Sequence, residues 1–587
     1  MAITRVFDLL PYNLQNFPKA DMLAYKQSGA WSKYATQAVT DTIDDVSYGL
    51  LALGVKKDDK IAIMSHNRPE WNFCDFGIMQ IGAVSVPMYP TLSDADIEHI
   101  LKDAGIRIIF AADKEICHKI SEVTQKTKQD LQVYSYENVE GVKNWNEILD
   151  SGKNNRQPNL QEYRDKVQPD DLLTLIYTSG TTGTPKGVML THANLVSNVL
   201  ECSKLYPAEI NRALSFLPMC HIFERMVIYM YLYLGISIYY AQSMDTIVAD
   251  MQEVKPHCFT TVPRLLEKVY DKIVAKGAEL TGAKKNIFNW ALQLGLRYEM
   301  NGRNGFLYEM KLKIARKLVF SKWKDALGGE IIAIVSGGAA LQPRLARVFW
   351  AAGIKVLEGY GLTETSPVIA VNAPQPGEAR FGTVGPIVKG VNLKIASDGE
   401  IMVKGPNVMK GYYNRPDATA EAIDADGYFH TGDIGVMLDN KYLCITDRKK
   451  EIFKTAGGKY IAPQTLENKF KESPFIEQII VIGENQRFPA ALIIPAFDAV
   501  KDWCAKKGLE YTTREEAVKS RRVIDKIQNE LDKYNDNFGH WEQVKKFELI
   551  ADEWSIATGE MTPKLSLKRK VILKKYEKLV EEIYRTV

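Results

Sequence analysis

The sequence predicts an α/β protein. It has a large N-terminal domain of parallel α/β sheets over residues 1–446, a small β-barrel-like unit inside it at about 380–446, and a small α+β C-terminal domain over 447–587. Three observations carry this reading. In the first part of the chain, short apolar runs closed by turn residues alternate with helical stretches, the pattern of strands joined by crossover helices. Near residue 380 the texture changes to alternation of polar and apolar residues, the period of a half-buried strand. After Asp447-Arg448 the chain is more charged and richer in helical signals. A chain of 587 residues exceeds one compact core and divides into roughly two to four domains.

Lys60-Ile-Ala-Ile-Met is a strand that ends in the turn-rich Ser65-His-Asn-Arg-Pro. Gly82 to Pro90 contains a second strand, and Arg107-Ile-Ile-Phe-Ala-Ala a third, after a helical stretch from Asp94 to Asp103. Further on, Val391 to Ala396 and Glu400 to Lys404 flank Ser397-Asp-Gly, which reads as a β-hairpin with one buried face. Gly, Pro and Asn punctuate residues 405–416.

Apolar residues make up 46% and charged residues 25%, ordinary globular values. The net charge of +3 provides no global field for nucleic acid. Asp8 and Pro11 interrupt the apolar start, which does not read as a secretory signal. The nearest thing to a membrane span, Met226 to Tyr240, is short and rich in Tyr; it reads as buried core. The seven cysteines are scattered, with no C-x-x-C pair and no zinc spacing, which fits a reducing cytoplasm.

The sharpest chemical signal is Tyr177-Thr-Ser-Gly-Thr-Thr-Gly-Thr-Pro-Lys-Gly187, directly after the apolar run Leu172 to Ile176. Gly180 and Gly183 let backbone N–H groups converge on an anion. Thr178, Ser179, Thr181 and Thr182 add hydroxyl donors and Lys186 adds positive charge, a set that suits a triphosphate. It is not a Walker A loop, because Thr184 and Pro185 separate Gly183 from Lys186 and Gly187 follows.

This segment resembles the signature of the adenylate-forming superfamily, which includes acyl-CoA synthetases, luciferases and peptide-synthetase adenylation domains. Further matches follow in that family's order: Leu217-Pro-Met-Cys-His-Ile-Phe-Glu-Arg225, Ser336-Gly-Gly-Ala-Ala-Leu341, Glu358-Gly-Tyr-Gly-Leu-Thr-Glu-Thr365, Gly427 to Asp433, and Asp447 to Pro463. The resemblance implies ATP-dependent formation of an acyl-adenylate with loss of pyrophosphate, then an acyl thioester with coenzyme A. A long helical insert between Arg264 and Ser336, together with His221-Ile-Phe-Glu-Arg225, resembles the long-chain fatty-acid branch.

The resemblance also implies roles. Thr178 and Glu364 hold Mg²⁺, Tyr360 stacks on adenine with Glu358, Gly359 and Gly338 around the nucleotide, and Thr363 meets the α-phosphate. Asp433 takes the ribose hydroxyls and Arg448 reaches the same sugar. His221 lies beside the substrate carboxylate, and Arg225 gates the acyl tunnel. Asp447 is the hinge of a mobile C-terminal domain, whose loop with Lys450, Lys454, Gly457 and Gly458 faces the site during thioester formation. Carboxylate, triphosphate and leaving pyrophosphate crowd negative charge into one place, so fixed cations must offset it.

One departure stands out. The lysine that long-chain members carry near the C-terminus is replaced by Ser566, with Lys564 and Lys568 two residues to either side. In an extended segment all three point the same way, about 6.5–7 Å apart, so Lys564 or Lys568 is expected to supply the adenylating cation. Six basic residues and no acid run from Lys564 to Lys575, followed by Tyr576, Leu579 and Ile583 in helical step with Ile572. A helix packed on its own domain is the favoured reading; contact with anionic lipid on the inner membrane face is the alternative. Two other functions stay open: delivery to a carrier-protein phosphopantetheine, and a binding protein that has lost adenylation.

Overall fold

The computed structural model describes residues 2–27, 29–156, 159–179, 184–556, 558–562 and 567–585, without the side chain of Ser179. Two eight-stranded sheets make up most of the large domain. The first runs Val368–Val371, Lys355–Gly361, Ala333–Ser336, Cys258–Thr261, Arg212–Ser215, Ser237–Tyr240, Leu23–Gln27 and Ala30–Tyr34. Its interior pairs are parallel and its two margins antiparallel. The second sheet is centred on the parallel strands Lys60–Met64, Val84–Met88 and Ile108–Ala111. Val84–Met88 is buried at every position and Lys60–Met64 at all but the first. That is why these strands read as continuous apolar runs, since helices cover both faces of a parallel sheet. Leu172–Ser179 adds to this sheet and turns back as Pro185–Thr191.

One helix ties the sheets together. Ile222–Tyr233 is buried along nearly its whole length. Adjacent helical residues point about 100° apart, and here they reach opposite ways. Glu224 accepts hydrogen bonds from Ser215 and Thr260 of the first sheet, whereas Arg225 donates to Thr174 of the second. The segment Met226 to Tyr240 is core, as expected, but divides into the end of this helix and the strand Ser237–Tyr240.

The change of texture near residue 380 is a four-stranded antiparallel sheet of Asn392–Ile395, Glu400–Lys404, Phe429–Leu438 and Tyr442–Arg448. Its first hairpin turns at Ser397-Asp-Gly, with Gly399 at φ +87°, a conformation other residues resist. The C-terminal part holds a three-stranded sheet of Ile476–Ile482, Ala490–Pro495 and Lys546–Leu549. The last two helices, Arg569–Lys575 and Glu577–Arg585, bury Ile572 and Ile583 in a cluster with Ile480 and Leu492. The apolar stripe of the basic tail therefore faces its own domain. Among the described residues no helix is long and apolar enough to cross a membrane.

Candidate active site

Ser336 and Glu358 are register partners at the C-terminal ends of two parallel strands, where open α/β sheets bind ligands. Gly337 and Gly338 follow the first strand. The second continues through Gly359 and Tyr360 into the turn that carries Thr363 and Glu364. Gly361 is obligatory here: a Cβ would stand 1.7 Å from the carbonyl oxygen of Pro367. Thr363 is buried and Glu364 half-buried.

The phosphate-loop strands approach the same turn. Thr178 and Lys186 are direct antiparallel partners, so their side chains share a face. The Lys186 Nζ lies 5.2 Å from the ring centroid of Tyr412, and the Tyr412 hydroxyl donates to Glu364 Oε1 at 2.9 Å. Burial, with Glu364 second, raises the Tyr412 pKa well above the usual phenol range, which keeps that hydroxyl a donor. Gly180, Thr181, Thr182 and Gly183 lie outside the described residues. Tyr412 was not foreseen from sequence. Its signal was the Gly411-Tyr-Tyr-Asn414 run closing the Gly/Pro-punctuated stretch, which reads only as turns until Gly411–Tyr412 pairs with Val188 and Met189.

A second junction joins the turn strand to the antiparallel unit. The Tyr360 hydroxyl donates to Asp433 Oδ2 at 2.8 Å, and Arg448 Nε sits 3.4 Å from Asp433 Oδ1 across the strand pair. Asp433 is buried, and burial raises its carboxyl pKa while Arg448 and Tyr360 pull it back down. Glu358 is buried too, and burial alone pushes its pKa to about 8.

His221 caps the helix Ile222–Tyr233, its Nδ1 accepting the Phe223 amide at 3.2 Å. In the neutral ring this leaves the proton on Nε2. Arg225 is 1% exposed at its side chain. Its guanidinium is paired with Asp75 and bonded to Thr174 and Tyr229, and it lies 5.3 Å from the Trp71 ring centroid. This side chain is held by an ion pair with its hydrogen bonds made; breaking a buried pair costs several kcal/mol, about 3–5. The structure makes Arg225 a brace between helix and sheet.

From the C-terminal side, Asp447 is fully buried, with Oδ1 accepting the Arg448 amide and Oδ2 the Gln464 amide at the start of the helix Pro463–Phe470. Lys450, Lys454, Gly457 and Gly458 occupy an exposed stretch, with Lys454 in the short hairpin Phe453–Lys454 and Tyr460–Ile461. Lys564 and Ser566 lie outside the described residues. Lys568 is exposed and its amide bonds to the Glu560 carbonyl. Met561 pairs antiparallel with Leu567. The expectation of one extended face shared by residues 564, 566 and 568 rests on residues outside the described ones.

Strand ends that bring Thr178 and Lys186 toward the Glu364 turn, with the buried Asp433 bonded to Tyr360 beside it, form a candidate nucleotide site. Residues 11–413 match the family model described as AMP-binding enzyme, and residues 451–587 match the AMP-binding enzyme C-terminal domain. The chain belongs to this family. It is 32% identical to a long-chain-fatty-acid–CoA ligase of Mycobacterium bovis, covering 96% of this chain and 94% of that one. It is 33% identical to long-chain-fatty-acid–CoA ligase 1 of Cavia porcellus, covering 95% and 83%. Among solved structures, the adenylation domain of a carboxylate reductase from Mycobacterium chelonae superposes with a TM-score of 0.75 at 20% identity, covering 99% of this chain and 91% of that one. The anthranilate CoA ligase in complex with anthranoyl-AMP superposes at 0.73 and 17%, covering 97% of each. These distant likenesses speak for the fold.

Proposed function

We propose that this chain activates a long-chain fatty acid with ATP and transfers the acyl group to coenzyme A. The observation that carries this is the run Lys186–Tyr412–Glu364, which joins the phosphate loop to the strand-end turn beside Tyr360 and Asp433. The ligase relatives matched over almost the whole chain support the acid and the thiol.

In the first step a carboxylate oxygen of the acid bonds to the α-phosphorus, and the bond to the bridging oxygen breaks with its electrons leaving on pyrophosphate. In the second, the coenzyme A sulfur loses its proton and attacks the acyl carbon, and AMP leaves with the oxygen. Thr178, Ser179, the loop Gly180 to Gly183 and Lys186 hold the β- and γ-phosphates. Glu358, Gly359, Gly338 and the Tyr360 ring frame the adenine, Asp433 and Arg448 take the ribose, and Thr363 meets the α-phosphate. His221 Nε2–H faces the acid. Most of the rate comes from this positioning.

The Thr178 hydroxyl and Glu364 carboxylate are hard oxygen donors. That fits Mg²⁺, which is held by one or two protein oxygens plus substrate phosphates. Bound there, it would neutralise phosphate charge. For the second step the C-terminal domain turns about Asp447 and brings Lys450, Lys454, Gly457 and Gly458 to the pantetheine arm.

Pyrophosphate release with ATP, Mg²⁺ and palmitate, followed by thioester formation with coenzyme A or a phosphopantetheinylated carrier, tests the reading. Release with palmitate and thioester with coenzyme A are expected. Release only with short or aromatic acids would overturn the substrate, and thioester only on the carrier would overturn the acceptor.

A further inference from the structure

The helical insert presents a face that the active site does not use. The chain from Phe306 to Ala326 is helical throughout, as Phe306–Ala315, Arg316–Phe320 and Ser321–Ala326. Its inner face buries Leu312, Ala315, Val319, Phe320 and Trp323 in the second core cluster. Its outer face repeats the apolar pattern with nothing over it. Phe306 is 77% exposed, Leu307 73%, Met310 50%, Ile314 52% and Leu318 48%. Residues 306, 310, 314 and 318 follow at i+4, so they form one stripe along the helix. Scattered single apolar residues on a surface need no explanation; a contiguous stripe marks an interaction site. The preceding helix, Gly282–Leu296, packs alongside through the Tyr308 hydroxyl on the Leu294 carbonyl at 2.7 Å.

The charge around the stripe is one-sided. Between residues 282 and 327 there are ten Lys and Arg against three Asp and Glu. This stretch alone carries +7, against +3 for the whole chain, so the rest of the protein is net negative. Lys311 and Lys317 are exposed and interleave with the apolar stripe.

We propose that this face docks on an anionic lipid bilayer, with Phe306, Leu307, Met310, Ile314 and Leu318 in the headgroup–acyl boundary and the lysines on the headgroups. An amphipathic helix with large apolar residues on one face and lysines flanking them binds membranes in this way. Charge decides against a second copy of the chain, because a two-fold interface sets the same patch against itself and would oppose two basic surfaces. The inference rests on the stripe and the charge, independently of the substrate proposed above, although a bilayer is where a long-chain acid is found. It also moves the lipid contact away from the basic tail, whose apolar residues Ile572 and Ile583 are buried.

The full chain is tested by flotation with phosphatidylcholine vesicles, with or without about one-third phosphatidylglycerol. Binding to the anionic vesicles at least tenfold tighter than to the neutral ones is expected, weakening as salt rises. The triple variant F306S/L307S/I314S and the double variant K311E/K317E should each lose at least tenfold in binding. Pyrophosphate release with detergent-dispersed palmitate should stay at wild-type level in both, and K570E/K574E should bind like wild type. No binding to anionic vesicles, or unchanged binding by both stripe variants, would overturn the proposal. So would a dimer in sedimentation that F306S/L307S/I314S splits, since the stripe would then be an interface between copies. Loss of palmitate activation with vesicle binding intact would count against the proposed substrate and leave the membrane face standing.

Discussion

The two halves of the candidate site are built to different specifications. Residues from the large domain are locked: Asp433 is bonded to Tyr360 and paired with Arg448, Glu364 is held by Tyr412, and Gly361 is pinned against Pro367. Residues from the C-terminal domain are presented on open turns, with Lys454, Gly457, Gly458 and Lys568 all exposed. Contacts between the two parts include polar ones: Arg264 pairs with Glu477, and Gln342 donates to the Lys471 carbonyl. Water can replace contacts of this kind. A nucleotide half held by buried bonds and a second half with exposed groups suit a reaction with two chemically different steps. Asp447 sits at the seam. It lies at the end of the strand Tyr442–Arg448 and clasps the start of the next helix through the Gln464 amide.

The largest break in this contrast should come from the rigid half. Glu364→Ala removes a carboxylate at the strand-end turn while the Met409 amide keeps its bond to the Glu364 carbonyl. Adenylation should fall at least a thousandfold, about 4 kcal/mol of transition-state stabilisation, with the melting temperature little changed. Pyrophosphate release within tenfold of wild type at saturating Mg²⁺ would show that Glu364 has no part in the chemistry.

In the C-terminal half, Lys564→Ala should lower adenylation about a hundredfold and Lys568→Ala by no more than about twofold. The asymmetry follows from Lys568, which opens the helix Arg569–Lys575 with its amide bonded to the Glu560 carbonyl. With acyl-adenylate supplied, the Lys564→Ala variant should form thioester at nearly the wild-type rate. Equal losses in the two variants would mean that the cation comes from elsewhere.

Tyr412→Phe sharpens the link between the halves of the nucleotide site. It keeps the ring beside Lys186 and deletes the bond to Glu364. A hydrogen bond to a charged group is worth about 1.5–3 kcal/mol, so a loss of about ten- to a hundredfold in kcat/KM for ATP is expected. Wild-type kinetics would mean that Glu364 is positioned by the turn alone.

How far these residues could be read without coordinates depended on where their partners lie in the chain. Lys60–Met64, Val84–Met88 and the Ser397-Asp-Gly hairpin follow from neighbours within a few residues, so period and turn chemistry predict them. Thr178 and Glu364 stand at a strand end and a turn whose local sequence is distinctive, and Asp433 lies within the strand Phe429–Leu438 in the equally distinctive Thr431-Gly-Asp run. Tyr412 and Arg225 could not be read in this way. The role of Tyr412 needs residues 186 and 364 brought together, and Arg225 needs Asp75 and Thr174 from elements far away in sequence.

The smallest expected effect concerns Glu358. Its carboxyl is buried, and burial alone raises its pKa from 4.5 to about 8. At pH 7 the group is therefore mostly protonated, and it sits at the strand end proposed to frame the adenine of a polyanionic nucleotide. As pH rises through about 8 it ionises, adding a buried negative charge near ATP. The KM for ATP should rise about threefold between pH 7 and 9, a change of about 0.65 kcal/mol by the usual tenfold-per-1.36 relation. Glu358→Gln keeps the shape and cannot ionise, so its KM should stay flat over that range and match wild type at pH 7. Stability follows the same sign. The folded pKa lies above the unfolded one, so the contribution of this proton is fully present below about 4.5 and is lost as pH rises through about 8. The melting temperature of the Gln variant should therefore gain on wild type with increasing pH. Parallel KM profiles, or a gap in melting temperature that does not widen, would place the Glu358 carboxyl in ordinary contact with solvent.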